Sequence, residues 1–226
     1  MAKLVLLPGA WHGPWCFDEV TPLLRAAGHE VVAVDLPETA RELADWVALV
    51  LAAIGTTPSV LVGHSRSGVV MSAVAEAAPD LAARLIYLAA FVPADGQSLM
   101  SIATANGAQM ELAVDQAGRT CTLAEPDVAG LFYQDCSDAV AAASMAKLRP
   151  EPLFSITTPV RLSAGRFGAV PRDYIECSAD RAISLAAQRR MQAVWPMQRV
   201  RTLPTGHSPF LSAPEALAGV IVELAG

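Results

Sequence analysis

Short apolar runs alternate along the chain with longer stretches whose apolar residues recur at helical spacing. The runs are rich in leucine and β-branched residues and are bounded by proline, glycine or aspartate, which is typical of strands buried on both faces of a sheet. They cover residues 3–7, 31–34, 59–62 and 85–91. The helical stretches between them cover residues 17–27, 40–54 and 68–78. Strand and helix in alternation predict a mostly parallel sheet with right-handed crossovers and helices on both faces.

The pattern changes in the middle of the chain. Strand-like runs disappear, and alanine-rich segments punctuated by proline predict helices near residues 97–105, 127–132 and 137–148. The alternation then resumes, with strands at 172–177 and 198–203 and helices at 184–194 and 214–224. We therefore expect a single structural domain with a core of residues 1–92 and 160–226. Residues 93–159, which follow the strand ending near Phe91, are expected to form a small inserted helical cap.

Composition and charge exclude several classes of partner. The 226 residues, 53% of them hydrophobic, are enough to bury a full core without disulfides or metal. A formal net charge of −6 without a basic run argues against nucleic acid. The first apolar run is too short for a signal peptide, and no run approaches the roughly 18 apolar residues of a membrane span. The scattered cysteines lack metal-site spacing, so we expect reduced thiols, a cytoplasmic location and no metal site.

The sequence VLVGHSRSGVV ends a predicted buried strand with a serine, Ser65, and then enters a helix of small residues. A sharp turn between strand and helix lifts a serine clear of a sheet, and it requires small neighbours. Gly63 and Gly68 supply that room, although Ser67 stands where glycine is more usual. Ser65 is therefore a candidate nucleophile. The alternative is an ordinary serine in a turn.

A serine hydroxyl needs a base to take its proton, and the base needs a carboxylate to orient it. His207 lies in a predicted loop between the last strand and the last helix. Asp180 follows the preceding strand, at the same predicted edge of the sheet, where ligands bind in open α/β folds. Asp95, after the strand that ends at Phe91, is an alternative acid because that position can also reach the histidine.

The loop after the first strand, LPGAWHG, contains two glycines that let the backbone turn sharply towards the candidate nucleophile. Acyl chemistry needs backbone N–H groups aimed at the developing oxyanion. We expect the N–H groups of Ala10 and of Arg66, the residue after Ser65, to form this oxyanion hole. His12 in the same loop either touches the site or makes a structural hydrogen bond.

The chain resembles the plant methylesterase and hydroxynitrile lyase branch of the α/β-hydrolases and its bacterial carboxylesterase relatives, the pyrethroid-hydrolase-like enzymes. The resemblance covers most of the chain, is weakest near residues 100–125, and is carried by PGAWHGPWCFDEVTPLLRAAGHEVVAVDLP, VGHSRSG, LIYLAAFVPADGQS, LFYQDCSDAVAAASMAKLRPEP, YIECSADRAISLAAQRRMQ and GHSPFLSAPEALA. The chain order serine, aspartate, histidine is also typical of α/β-hydrolases. The resemblance implies an α/β-hydrolase fold, a Ser65–Asp180–His207 triad, no cofactor and a helical cap over the pocket.

Positions that differ from the family pattern give more specific expectations about the pocket and the reaction. Pro8 stands where the family usually has histidine, and the loop after Pro37 is shortened, which should open one side of the pocket. Arg66 replaces an apolar or small residue. It is expected either to pair with a carboxylate beside the turn or to bias the site towards substrates that carry a carboxylate. Gly9 and Ser208 stand where the similar lyases carry threonine and lysine, which favours ester hydrolysis over cyanohydrin cleavage.

These features together predict a serine carboxylesterase for small to medium hydrophobic or aromatic esters. The alternatives are a hydroxynitrile lyase and a non-catalytic small-molecule-binding protein on a hydrolase scaffold. The expected partner is a small-molecule ester rather than nucleic acid or a membrane, and a homodimer stays open. The residues expected to line the substrate pocket are Gly9, Trp11, His12, Leu131, Phe132, Phe154 and Phe210.

Overall fold

Strands and helices alternate through residues 1–107, 111–124 and 127–226, which are the residues that the computed structural model describes. The strands are β1 Lys3–Leu7, β2 Glu30–Ala33, β3 Ser59–His64, β4 Ala82–Leu88, β5 Leu112–Asp115, β6 Thr120–Leu123, β7 Glu151–Pro152, β8 Arg172–Cys177 and β9 Arg199–Leu203. The α-helices are α1 Val20–Ala26, α2 Leu43–Ile54, α3 Ser67–Ala77, α4 Leu99–Ala105, α5 Val128–Phe132, α6 Asp138–Met145, α7 Leu153–Thr157, α8 Leu185–Gln192, α9 Pro209–Ser212 and α10 Pro214–Ala225. Short 3-10 helices cover Pro14–Phe17, Pro79–Leu81 and Phe167–Ala169.

The central sheet has the strand order β2-β1-β3-β4-β8-β9, and every neighbouring pair is parallel. Alternate residues of β1 enter two separate cores, because successive side chains of a strand point to opposite faces. Val5 packs in the core that contains Trp46 of α2, and Leu6 packs in the core that contains Ile221 of α10. The predicted parallel sheet with helices on both faces is confirmed.

One predicted strand leaves the sheet earlier than expected. We expected it to continue to Phe91, but β4 ends at Leu88 and Ala89 has a positive φ of 40°. The chain turns here so that the Phe91 N–H can donate to the Ser65 carbonyl over 3.1 Å. Apolar side chains continue beyond β4 because this segment is buried against the turn that carries Ser65, which is why the pattern alone extended the strand.

The segment between β4 and β8 is not entirely helical, which corrects the prediction for the cap. Helices α4, α5 and α6 are present, but β5, β6 and β7 form a small antiparallel sheet beside them. The β5–β6 turn contains Arg119 with a φ of 55°. These strands are short and partly exposed, and β6 pairs with a β7 strand far along the chain, so local periodicity carries little signal of them.

No helix within the described ranges is long and apolar enough to cross a lipid bilayer. The four cysteines, Cys16, Cys121, Cys136 and Cys177, are free thiols, and all except Cys136 are buried. Among the described residues, no three His, Cys, Asp or Glu side chains are arranged to hold a metal ion.

Candidate active site

Ser65 lies in a strained turn between β3 and α3. Its φ of 52° is in the left-handed region, which typically costs a non-glycine residue about 1–3 kcal/mol. The turn is held by the Ser65 N–H, which donates to Leu88, and by the Ser65 carbonyl, which accepts from Gly68 and Phe91. Held strain of this kind is typical of a functional position, and it favours the presented nucleophile over an ordinary turn serine.

The residues around this turn must be small. A Cβ atom on Gly68 would lie 2.1 Å from the Phe91 carbonyl oxygen, and one on Gly63 would lie 2.8 Å from the Ser67 carbonyl oxygen. Ser67 fits where glycine is more usual because its hydroxyl donates a 2.5 Å hydrogen bond to the carbonyl of Pro8. The Ser67 and Pro8 departures therefore complement one another, and the turn is intact.

His207 and Asp180 come together after β9 and β8. His207 Nδ1 lies 2.8 Å from Asp180 Oδ2, and both side chains are almost fully buried. The other carboxylate oxygen of Asp180 accepts the N–H groups of Ala182 at 2.7 Å and Ile183 at 2.8 Å. With Nδ1–H donating to Asp180, the Nε2 atom of His207 can accept a proton. Ser65 and His207 line the same cavity.

Asp95, the alternative acid, is used elsewhere. Its Oδ1 atom accepts the N–H of Leu162 over 2.9 Å. The carboxylate that contacts His207 is that of Asp180.

His64, which the sequence analysis did not single out, supports His207 from behind. Its Nε2–H donates to the His207 carbonyl over 2.8 Å, and the two rings lie 4.5 Å apart between centroids. Complete burial lowers the pKa of His64 well below its usual range, helped by the nearby His207 and His12, so the ring is neutral. The signal in the sequence was a polar residue at the end of an otherwise apolar strand, directly before Ser65.

Two residues beside the cavity, Ala10 after β1 and Arg66 after β3, are the expected donors of backbone N–H groups to an oxyanion. Within the described ranges, the N–H groups of Ala10 and Arg66 donate to no protein acceptor, and both residues line the cavity with Ser65. Gly9 lies behind the nucleophile, because a Cβ atom there would be 2.7 Å from His64 Nδ1 and 3.2 Å from Ser65 Cβ. Glycine is needed at this close approach. Gly9 therefore backs the site, whereas we expected it to line the pocket.

The Arg66 side chain is buried among protein groups. It is 1% exposed, with Nε 3.0 Å from Glu151 Oε1 and Nη2 donating to the Gly9 carbonyl over 3.1 Å. The guanidinium also stacks on Trp46, 4.3 Å from the ring centroid. Burial lowers the pKa of Arg66, and Glu151 opposes this shift. The geometry matches the expected carboxylate pair and leaves no free guanidinium for a substrate carboxylate.

The cavity beside Ser65 is small and mostly apolar. Its volume is about 30 Å³, and two of the expected pocket residues, Trp11 and Phe132, line it. The lining residues that the sequence analysis missed are Phe91, Leu99, Ile156, Ala182 and Ile183. They lie on the loop after β4, on α4, on α7 and on the loop after β8, so four parts of the chain converge on Ser65.

The other expected pocket residues lie outside this cavity. Phe154 packs on Trp46 at 4.8 Å and lines a separate cavity of about 300 Å³ with Ala40 and Arg41, which follow the shortened loop. Phe210 is fully buried against the His64 ring, 4.9 Å away. Leu131 is half-buried in the main core beside the cavity residues. Each of these three side chains packs against residues distant in sequence, and the local sequence pattern does not predict such contacts.

His12 makes structural hydrogen bonds, the second of the two roles considered for it. Its Nδ1 atom lies 2.8 Å from the Ala10 carbonyl and its Nε2 atom lies 2.7 Å from the Tyr133 hydroxyl. Burial lowers the pKa of His12 to about 4, so the ring is neutral. It stiffens the loop beneath Ala10 and is not part of the cavity lining.

Comparison with known proteins identifies the family of the chain. Methylesterase 1 of Arabidopsis thaliana is 28% identical over 250 residues, covering 98% of this chain and 95% of that protein. The pyrethroid hydrolase of Sphingobium wenxiniae is 29% identical over 252 residues, covering 100% of this chain and 88% of that protein. The crystal structure of a pyrethroid hydrolase from Sphingobium faniae superimposes with a TM-score of 0.84 at 27% identity, covering 99% and 97% of the two chains. A family model described as "Alpha/beta hydrolase family" matches residues 4–220, and the chain belongs to this family.

Proposed function

We propose that the protein is a serine carboxylesterase that works through Ser65, His207 and Asp180. The observation that carries the proposal is the shared cavity, where a strained Ser65 meets a His207 whose Nδ1 is bound to Asp180. The named relatives, methylesterases and a pyrethroid hydrolase, are carboxylic ester hydrolases, in agreement with the predicted class. The carboxylesterase activity requires no cofactor.

In the proposed reaction, Ser65 Oγ attacks the ester carbonyl while His207 Nε2 takes its proton. The Ala10 and Arg66 N–H groups hold the oxyanion of the tetrahedral intermediate. As the C–O bond breaks, His207 returns the proton to the leaving alcohol, and an acyl-Ser65 ester remains. Water then attacks the acyl group by the same route, with His207 as base, and releases the acid and free Ser65.

The cavity volume supports a substrate with a small apolar group at the reacting carbon. The cavity of about 30 Å³ is small for a ligand site, and bulky apolar side chains wall it beside Ser65. We expect an acetyl group to fit this space more easily than a butyryl group, because Phe132 and Ile156 wall it. We therefore propose a preference for short acyl groups, which narrows the expected range of small to medium esters.

The two alternative functions have less support. A hydroxynitrile lyase of the similar kind needs a cation beside the base, but position 208 is a serine and the Arg66 guanidinium is engaged by Glu151. Position 9 holds a glycine whose Cβ site is blocked by His64, so the lyases' threonine does not fit without movement. A non-catalytic binding protein would be expected to have a broken turn or a missing base, and neither is present.

The experiment measures turnover of p-nitrophenyl acetate and butyrate by the wild type and by Ser65→Ala, with mandelonitrile cleavage run alongside. Ser72→Ala is the matched control, since Ser72 is a buried serine of α3 that bonds to Tyr87 outside the cavity. We expect ester turnover, faster with acetate, that is lost in Ser65→Ala and kept in Ser72→Ala. Cleavage of mandelonitrile alone would refute the esterase assignment, and so would ester turnover that survives in Ser65→Ala.

The remaining expectations about partners and location belong to this proposal. Its partner is the small-molecule ester, and a homodimer stays open. The free thiols agree with a cytoplasmic location, which stays a prediction. Size-exclusion chromatography with light scattering and fractionation of the source cells test the two points.

A further inference from the structure

The peptide group between Gly9 and Ala10 carries the N–H that the proposed function aims at the oxyanion. The carbonyl of Gly9 and the N–H of Ala10 belong to one planar trans unit, so they point in opposite directions. Arg66 Nη2 donates to this Gly9 carbonyl over 3.1 Å. Fixing the carbonyl against the guanidinium therefore fixes the direction of the Ala10 N–H.

The next peptide group is held at both ends as well. The Trp11 N–H donates to Glu151 Oε2 over 2.9 Å, while the Ala10 carbonyl lies 2.8 Å from His12 Nδ1. Trp11 itself has a φ of 62°, in the left-handed region that a non-glycine residue rarely adopts without support. Glu151 supplies that support from β7, far along the chain.

Arg66 and Glu151 join these two peptide groups into one buried unit. Their side chains are 1% and 4% exposed, with Arg66 Nε 3.0 Å from Glu151 Oε1. Ser155 donates to the same Glu151 oxygen over 2.5 Å, and Trp46 covers the guanidinium. A buried ion pair of this kind contributes little net stability compared with an apolar pair, so its presence calls for another explanation.

We infer that the Arg66 side chain and Glu151 are positioning residues that orient the Ala10 N–H towards the oxyanion. The inference rests on the proposed function, because it concerns how the same site stabilises its transition state. Both side chains are taken up by contacts with protein groups, so we expect neither to contact substrate. Their substitution should therefore lower kcat more than it raises KM, since the apolar side chains that wall the cavity are all kept. The backbone N–H of Arg66 is kept in every variant.

The test compares two double variants that both remove the buried charges. R66L/E151Q keeps a side-chain oxygen that can accept the Trp11 N–H, whereas R66L/E151L does not. We expect kcat for p-nitrophenyl acetate to fall about 100-fold in R66L/E151L and about tenfold in R66L/E151Q, since displacing a transition-state donor by about 1 Å costs on the order of 100-fold. KM should stay within about twofold in both.

A matched control separates orientation from stability. Arg84→Leu removes one of two arginines that pair with the buried Asp173, at the opposite end of β8 from Asp180. We expect it to lower the melting temperature while kcat at 25 °C is kept. Wild-type kcat in R66L/E151L, or a kcat loss in proportion to melting temperature across all variants including Arg84→Leu, would overturn the inference.

A second measurement does not depend on ester turnover. Amide hydrogen exchange of peptides spanning residues 8–12 should be faster in R66L/E151L than in R66L/E151Q, because only the leucine leaves the Trp11 N–H without an acceptor. A wild type without ester turnover would refute the proposed function by itself. Exchange of these peptides that is unchanged in R66L/E151L would overturn the inference in either event.

Discussion

Acid should destabilise the fold through His12, which is buried and neutral between Ala10 and Tyr133. Its pKa is about 4 in the folded protein, lowered from 6.5 mainly by burial. Because the folded pKa lies below the unfolded one, the unfolded chain binds the proton more readily between these values, and stability falls as the pH drops from 6.5 towards 4. At 1.36 kcal/mol for each pKa unit, His12 contributes a loss of about 2.5 kcal/mol between pH 7 and pH 4.5.

The assay is urea unfolding followed by circular dichroism at pH 7 and pH 4.5, for the wild type and for His12→Gln. Glutamine can keep a donor and an acceptor for Ala10 and Tyr133 without titrating. We expect the drop in unfolding free energy between the two pH values to be about 2.5 kcal/mol smaller in His12→Gln than in the wild type. His29→Gln, a histidine outside this site, is the control. An equal drop in the wild type and in His12→Gln would refute the reasoning.

Three further predictions concern the nucleophile, its base and the cavity. Asp180→Asn should lower kcat for p-nitrophenyl acetate about 10⁴-fold, because the amide stabilises the wrong tautomer of the histidine, and a loss below tenfold would contradict the assigned role. Gly68→Ala should lower both melting temperature and turnover, since its Cβ would lie 2.1 Å from the Phe91 carbonyl, whereas Gly219→Ala, with open space around it, should lower neither. Ile156→Ala should raise the butyrate-to-acetate ratio of kcat/KM by enlarging the cavity, at about 2–5 kcal/mol of stability, and an unchanged ratio would show that Ile156 does not limit the acyl group.

The sequence predicted the core of the fold because the strands of this sheet are buried on both faces. β1 and β3 are almost entirely buried, so their sequences are mainly apolar. Such strands can be recognised without an alternation of polar and apolar residues. The hairpin of β5 and β6 was missed because its residues are mostly exposed and its third strand, Glu151–Pro152, is distant in sequence. Short strands that depend on non-local pairing leave little local signal.

The site was predictable where chain position decides it. Ser65, Asp180 and His207 follow β3, β8 and β9 at one edge of the sheet, and the structure brings them together there. The residues that line the pocket were less predictable. The sequence placed Phe154 and Phe210 in the pocket, but in the structure Phe154 packs on Trp46 and Phe210 packs on His64.

Contacts between side chains far apart in the sequence were the hardest to predict. The expectation of a carboxylate for Arg66 was met, but nothing in the sequence identified Glu151 as that carboxylate. The hydrogen bond from His64 to the His207 backbone was equally hidden, because it joins residues 143 positions apart. Such contacts depend on the tertiary fold.

The strand order divides the proposed catalytic residues between the middle and the edge of the sheet. The loop after β1 and the turn after β3 are joined by one central ladder, in which Leu7 is paired with Gly63. His207 instead follows β9, the outermost strand, which is held along one side only by β8. Local opening of a sheet begins where the fewest contacts must break. Mild heating or denaturant should therefore detach His207, the proposed proton acceptor, while Ser65 stays in place, so that the proposed activity disappears reversibly before the protein unfolds.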